Sequence, residues 1–219
     1  MLPPPFRCAI LPVTPYRQNC SIVWCTKTMK GAVIDPGGEV ARLKQTIAAN
    51  GIAVEKVLLT HGHLDHASGA TRLARELGVP IEGPYTDDIF LLDALGENAR
   101  RPGFADAEAC TPSRFLADGD TVRFGEIVFG VRHCPGHTPG HVVFFHLAAK
   151  IAFVGDVLFK GSVGRTDFPR GNHADLIRSI TERLWPLGED MQFVPGHGAM
   201  SNFGWERKTN PFVGDLALR

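Results

Sequence analysis

Four short apolar runs in this chain each lead into a side chain that binds metal ions well, and that recurrence constrains the fold more than any other feature. "KVLLT" (56–60) runs into His61, His63, Asp65 and His66; "IVFGVRH" (127–133) is followed by His137, "IAFVG" (151–155) by Asp156, and "QFVPG" (192–196) by His197. Within these runs, bounded by glycine and proline, residues 56–60, 127–133, 151–154 and 192–194 read as strands, so the ligand-type residues sit at or near strand ends and can converge on one edge of a sheet. Within "THGHLDHASG" (60–69), His61 and His63 are two apart in extended chain and point the same way. Asp65 and His66 fall where the chain turns into a helix, so they can face a second point, and Gly62 lets the backbone turn without a Cβ clash. The five imidazoles and two carboxylates exceed the needs of one four-coordinate ion. They suffice for two ions a few ångströms apart that share a carboxylate and a water.

The rest of the chain supplies a mixed layered framework. Further strands are expected at 8–13, 20–25, 32–34, 121–124 and 142–146. Helical spacing appears in Val40, Leu43 and Ile47, in Ala70, Leu73, Ala74 and Leu77, and in Leu176, Ile177, Ile180 and Leu184, the last series stopped by Pro186. Another helix is expected to begin at Thr86 as N-cap, with Asp87 and Asp88 in its first turn. Many strands with helices interspersed, rather than strict alternation, argue for an α+β layered fold. Residues 96–113 read as a long irregular excursion.

Composition narrows the function classes. A chain of 219 residues, 44% hydrophobic and free of linker-like breaks, is expected to be a single domain spanning 1–219. Lys plus Arg equals Asp plus Glu at 23 each, so the summed charge gives no reason to expect nucleic acid or an anionic membrane surface as partner. Five cysteines without a CxxC read as reduced thiols, the opening "MLPPPFRCAI" lacks the form of a secretory signal, and no apolar run approaches the ~20 residues of a membrane span. A cytoplasmic location is the expectation, and the oligomeric state is left open.

Other polar residues weigh differently. His133, His146 and His173 lack ligand spacing and read as packing or surface groups. His141, four after His137, reads as structural ahead of a role supporting the ligands, and Cys134 as a small buried hydrophobe. Asp35 in "VIDPGG" is ordinary turn chemistry or a hydrogen-bond partner of a metal histidine, with equal weight on each.

In order along the chain, "THGHLDH", "CPGHTPGH", "FVGDVLF" and "VPGHG" resemble the metallo-β-lactamase-fold hydrolases. "GSVGRTDFPRG" and the closing Asn210, Pro211 and Phe212 make the sequence most similar to short bacterial glyoxalase II-type proteins that lack a C-terminal helical domain. The resemblance implies an αββα sandwich of two mixed β-sheets flanked by helices, with metals at one edge. It also implies His61, His63 and His137 on one ion, Asp65, His66 and His197 on the other, and Asp156 bridging. Asp65 and Asp156 are then the carboxylates closest to the chemistry. The cofactors implied are two divalent ions, zinc first, with iron or manganese as alternatives.

What such a site does follows from its ligands. Two dications lower the pKa of a shared water toward neutrality and polarise a carbonyl, and a thiolate of pKa near ~8.5 leaves without strong acid help. Thioester hydrolysis is therefore the expectation; the resemblance implies S-(2-hydroxyacyl)glutathione as the small-molecule substrate and Arg165, Asp167 and Phe168 as candidate substrate-binding residues. True β-lactamases of this fold usually carry Cys or Ser where Asp156 stands. Persulfide dioxygenases, which share the fold and hold one iron, usually have Cys in place of His141. These departures make the hydrolase the first reading and the dioxygenase the alternative.

Overall fold

A computed structural model of the protein describes residues 4–218. The first sheet holds five strands, β1 (Phe6–Val13), β2 (Gln18–Cys25), β3 (Lys30–Ile34), β4 (Ala53–Leu58) and β5 (Ile81–Glu82), side by side in that order. The second holds β6 (Thr121–Phe124), β7 (Ile127–His133), β8 (Val142–His146), β9 (Ile151–Gly155), β12 (Gln192–Pro195) and β13 (Ser201–Asn202), with a separate hairpin, β10 (Leu158–Phe159) and β11 (Ser162–Val163). Both sheets are mixed: β3, β4 and β5 run parallel, as do β9 and β12, and the other ladders are antiparallel. The helices are α1 (Val40–Ala49), α2 (Leu64–Ala67), α3 (Ala70–Leu77), α4 (Ile89–Asp93), α5 (His173–Arg178) and α6 (Phe203–Thr209).

Side-chain alternation along the strands decides the layering. In β2, Cys20, Ile22 and Trp24 pack with Val40, Leu43 and Ile47 of α1 and Leu73 of α3. Val23 and Cys25 point the other way, into an interior shared with Phe129, Val142, Phe144 and Phe153 of the second sheet. Val143, Phe145, Ala152 and Val154 of that sheet turn outward onto Leu176, Ile180, Leu184 and Phe203. Helix, sheet, sheet and helix follow one another as the resemblance implies. Trimming a ring such as Phe144, fully buried between the sheets, to Ala typically costs ~3–5 kcal/mol.

The expected strands are all present, three of them with the expected bounds: β6, β7 and β8. Thr86 does not cap a helix. Tyr85 holds the cap position, no side chain caps it, and Thr86–Asp88 form a tight 3₁₀ turn that runs on into α4. The reason lies in Asp88, whose carboxylate turns inward to bind other loops. The helix of Leu176 to Leu184 is also not uniform. It is capped by Asn172, whose side chain accepts from the Asp175 N–H, and after Arg178 it widens into a π-helical turn over Ser179–Leu184. No helix among the described residues is long and apolar enough to cross a membrane. All five cysteines are free thiols.

Candidate metal centre

The strand ends converge on one edge of the sandwich. His61 and His63 follow β4, α2 presents Asp65 and His66, His137 lies between β7 and β8, Asp156 follows β9 directly, and His197 lies just past β12. Main-chain bonds hold these ends together: Val142 N–H donates to Thr60 O at 2.8 Å, and Gly196 N–H to Gly155 O at 2.7 Å. The second bond joins the loops that carry Asp156 and His197.

All seven expected ligands meet there. Nitrogen atoms of His61, His63 and His137 lie within 4.8 Å of one another, and so do ligand atoms of Asp65, His66 and His197. Asp156 stands between the clusters, with Oδ1 at 3.3 Å from His66 Nε2 and Oδ2 at 3.5 Å from His137 Nε2 and 3.6 Å from His197 Nε2. His63 Nδ1 and His137 Nε2 are 2.9 Å apart, and His197 Nε2 is 3.1 Å from Asp65 Oδ2.

The outward nitrogens explain why the inward ones point where they do. His137 Nδ1 donates to Arg165 O at 2.7 Å and His197 Nδ1 to Tyr16 O at 3.1 Å. A carbonyl only accepts, so the proton is on Nδ1 and the Nε2 lone pair faces the centre. His66 Nδ1 donates to Asp35 Oδ2 at 2.9 Å. Asp35 also accepts from Thr60 N–H at 2.7 Å and Thr60 Oγ1 at 2.6 Å, and that hydroxyl in turn accepts from His61 Nδ1 at 3.0 Å. Of the two roles left open for Asp35, the structure selects support of His61 and His66. His63 is the exception, presenting Nδ1 to the centre.

Electrostatics divide the histidines. Burial, reinforced by neighbouring imidazoles, holds His61 well below its ordinary value of 6.5 and brings His63 down to about 3. Burial also lowers His137. For His66 burial works in the same direction, but the charges of Asp156 and Asp65 and the polar contacts with Asp156 and Asp35 overcome it and raise the ring well above its ordinary value. Burial would raise Asp156, yet His66, His137 and His197 keep it well below the usual carboxylate range.

These groups fit metal ions. His61 Nε2, His66 Nε2 and Asp156 Oδ1 are buried without a hydrogen-bond partner, the latter two being 3.3 Å apart but poorly aligned. Leaving a buried polar atom unpaired costs ~1–3 kcal/mol, and several such atoms aimed at one space are accounted for by a cation. Glycine makes room for the cluster: a Cβ on Gly196 would collide with Asp156 Oδ1 and come within 2.6 Å of His66 Cε1.

The candidate substrate residues are placed less uniformly. The Phe168 ring lies 4.7 Å from the His63 ring and 5.5 Å from that of His137, at the centre. Arg165 and Asp167 are exposed and bound to each other, Arg165 Nε and Nη2 donating to the Asp167 carboxylate at 3.0 and 2.8 Å. His141, read first as structural, instead touches two of the candidate ligands. Its Nε2 accepts from the Asp156 N–H at 3.1 Å and its ring stacks on His61 at 4.7 Å. His133 and His146 hydrogen-bond to nearby main-chain groups and pack on aromatic rings, His133 on Tyr85 and His146 on Phe6.

Three supporting roles go beyond what the sequence predicts. Tyr16 and Arg165 act through main-chain carbonyls, which leave no mark in a sequence. Asp88 was read only as a helix-start acid. Burial pushes its carboxyl up to about 6, against the pull of the hydrogen bonds from Gly62, Thr138 and Gly140.

The model of the metallo-beta-lactamase superfamily matches residues 13–197, a span that takes in all seven candidate ligands. The chain belongs to the metallo-beta-lactamase superfamily. Within that superfamily it is 44% identical over 205 residues to hydroxyacylglutathione hydrolase GloC of Haemophilus influenzae, covering 93% of this chain and 96% of the relative. It is 31% identical to the human mitochondrial persulfide dioxygenase ETHE1, covering 89% and 74%. Among solved structures, TTHA1623 in a di-iron-bound form matches with TM-score 0.81 and 36% identity over 92% and 98% of the two chains. The BLEG-1 B3 metallo-beta-lactamase matches with TM-score 0.86 and 29% identity over 94% and 99%.

Proposed function

We propose that this metallo-beta-lactamase superfamily protein is a binuclear, metal-dependent thioester hydrolase acting on S-(2-hydroxyacyl)glutathione such as lactoylglutathione. His61, His63 and His137 hold one divalent ion, Asp65, His66 and His197 the other, and Asp156 serves both. The observation that carries the reading is the position of Asp156, whose two carboxylate oxygens face His66 on one side and His137 and His197 on the other. Two ions so held supply a Lewis acid for the thioester carbonyl and a water of lowered pKa. The chain's own side chains orient and exclude. Asp35, Thr60 and the carbonyls of Arg165 and Tyr16 fix the imidazole tautomers, and Phe168 walls the site beside His63 and His137. A thiolate leaving group suits a centre whose titratable side chains are committed to the ions.

The 44% identity to a hydroxyacylglutathione hydrolase over nearly the whole of both chains supports the substrate class. A His and Asp set accepts zinc, iron or manganese, and zinc is the first expectation. A persulfide dioxygenase with a single iron is the second reading, favoured by the human relative. The separate groups His61, His63, His137 and Asp65, His66, His197, beside a third in which Asp35 joins His61 and His66, weigh against a single ion. Metal analysis of the purified protein, run beside thioester and persulfide assays, tests the choice. Two ions per chain with thioester hydrolysis is the expected result; one iron with oxygen consumption on a persulfide overturns it.

A further inference from the structure

Two glycines of the ligand loops, Gly62 between His61 and His63 and Gly140 just before His141, are required by something other than the ligands. A Cβ on Gly62 would meet Leu91 Cβ at 2.8 Å and the Asp88 carbonyl oxygen at 3.2 Å. On Gly140 it would meet the Asp88 nitrogen at 2.6 Å and the Asp88 Cγ at 2.7 Å. Both loops are therefore pressed against the same turn, and there they meet one carboxylate. Asp88 Oδ2 accepts from the Gly62 N–H at 2.9 Å and from the Thr138 hydroxyl at 2.8 Å, and Oδ1 accepts from the Gly140 N–H at 2.6 Å. Asp88 is completely buried, and its three partners are neutral groups.

Resting on the metal reading above, we propose that Asp88 is the positioning residue of the first metal cluster, locking the loop of His61 and His63 to the loop of His137. The clamped groups are immediate neighbours of the ligands: Gly62 adjoins both His61 and His63, and Thr138 adjoins His137. Across that seam His63 Nδ1 and His137 Nε2 stand 2.9 Å apart without a direct covalent tie. The spacing of the imidazoles is thus set by a carboxylate that touches none of them. Hydrogen-bonded partners that orient ligands in this way typically alter metal affinity ~10–100-fold when changed.

The test uses Asp88→Asn, which keeps the shape but turns an amide NH₂ toward at least one N–H or O–H donor, and Thr138→Val, which removes one of the three bonds. Metal-free wild type and variants are titrated with Co²⁺ against a chromophoric chelator. The visible cobalt spectrum and the thermal midpoint of the metal-free protein are recorded in parallel. The expected result is two Co²⁺ bound by the wild type, with the affinity of one site lowered ~10–100-fold and its spectrum altered in Asp88→Asn, and Thr138→Val between the two. Wild-type affinity and spectrum in Asp88→Asn overturn the assignment. A lowered midpoint with unchanged cobalt affinity overturns it too, because that is a purely structural role. Should Asp88→Asn fail to fold, the same criteria apply to Thr138→Val. Binding of a single Co²⁺ by the wild type overturns the binuclear reading, and Asp88 is then judged by the affinity ratio at that one site.

Discussion

The His137 imidazole is held by the main chain of Arg165, its Nδ1–H donating to that residue's carbonyl oxygen at 2.7 Å. The backbone that supports this imidazole thus belongs to the segment proposed to bind substrate, and the two roles proposed for Arg165 can be separated by mutation.

Arg165→Ala leaves the carbonyl in place, so the metal content is expected to stay at the wild-type level. The guanidinium is exposed, bound to Asp167 and stacked 4.7 Å over the Phe168 ring. Exposed ion pairs are worth only ~0–1 kcal/mol, so KM for lactoylglutathione should rise by less than about tenfold, with kcat little changed. Steady-state kinetics with metal analysis on the same preparation checks this. Loss of metal would place the side chain in the support of His137.

Asp156→Ala removes the carboxylate that lies between the clusters. Changing a residue that only orients a ligand costs ~10–100-fold, so losing this one should lower hydrolysis by more than about hundredfold and reduce the bound metal below two per chain. Activity within tenfold of wild type would show that Asp156 is not shared.

Gly196→Ala deletes no ligand, yet its Cβ collides with Asp156 Oδ1 and crowds His66. Metal uptake should fall as in Asp156→Ala, while Gly198→Ala, where a Cβ meets nothing within 4 Å, should bind both ions despite its strained backbone at φ 78°. Equal metal content in the two variants would contradict the crowding.

Acid should destabilise the metal-free protein. His63 titrates near 3 when folded against 6.5 ordinarily, so the unfolded chain binds more protons between those values. This contribution to stability is intact above pH 6.5 and drains away as the pH falls toward 3. His66 has the opposite sign, since its value is raised: its contribution is present below 6.5 and is lost as the pH rises through the folded value. Thermal midpoints of the metal-free protein from pH 7 down to pH 4 should fall on the acid side. Metal binding at pH 7 should release protons as His66 gives one up, a release that calorimetry in buffers of different ionisation enthalpy measures.

The longer strands and the convergence of the seven candidate ligands were legible in the sequence because alternation and residue type carry that information directly. "IVFGVRH" and "VVFFH" became β7 and β8 residue for residue. What escaped depends on tertiary packing. Asp88 looks like a helix-start acid until the loops of Gly62 and Gly140 are seen against it, and Asp35 becomes a histidine partner only when β3 and β4 lie side by side. Helix α6 and the two-residue strand β13 were missed because their apolar content is small. They are held by the buried Glu206, which accepts from the Gly161 N–H, from Asn210 Nδ2 and from Ser201 Oγ.

Asp156 is the first residue beyond β9, and His197 stands just beyond the parallel neighbour β12. The two strands act as rails of fixed spacing, and the candidate metal-facing groups ride on their tips. A substitution deep along either rail changes how firmly the sandwich holds and leaves the gap between the tips alone. An insertion or deletion at the end of one rail leaves the sandwich intact and shifts one tip against the other. Loop length after β9 and β12 is therefore the quantity to which the chemistry of this scaffold is most exposed.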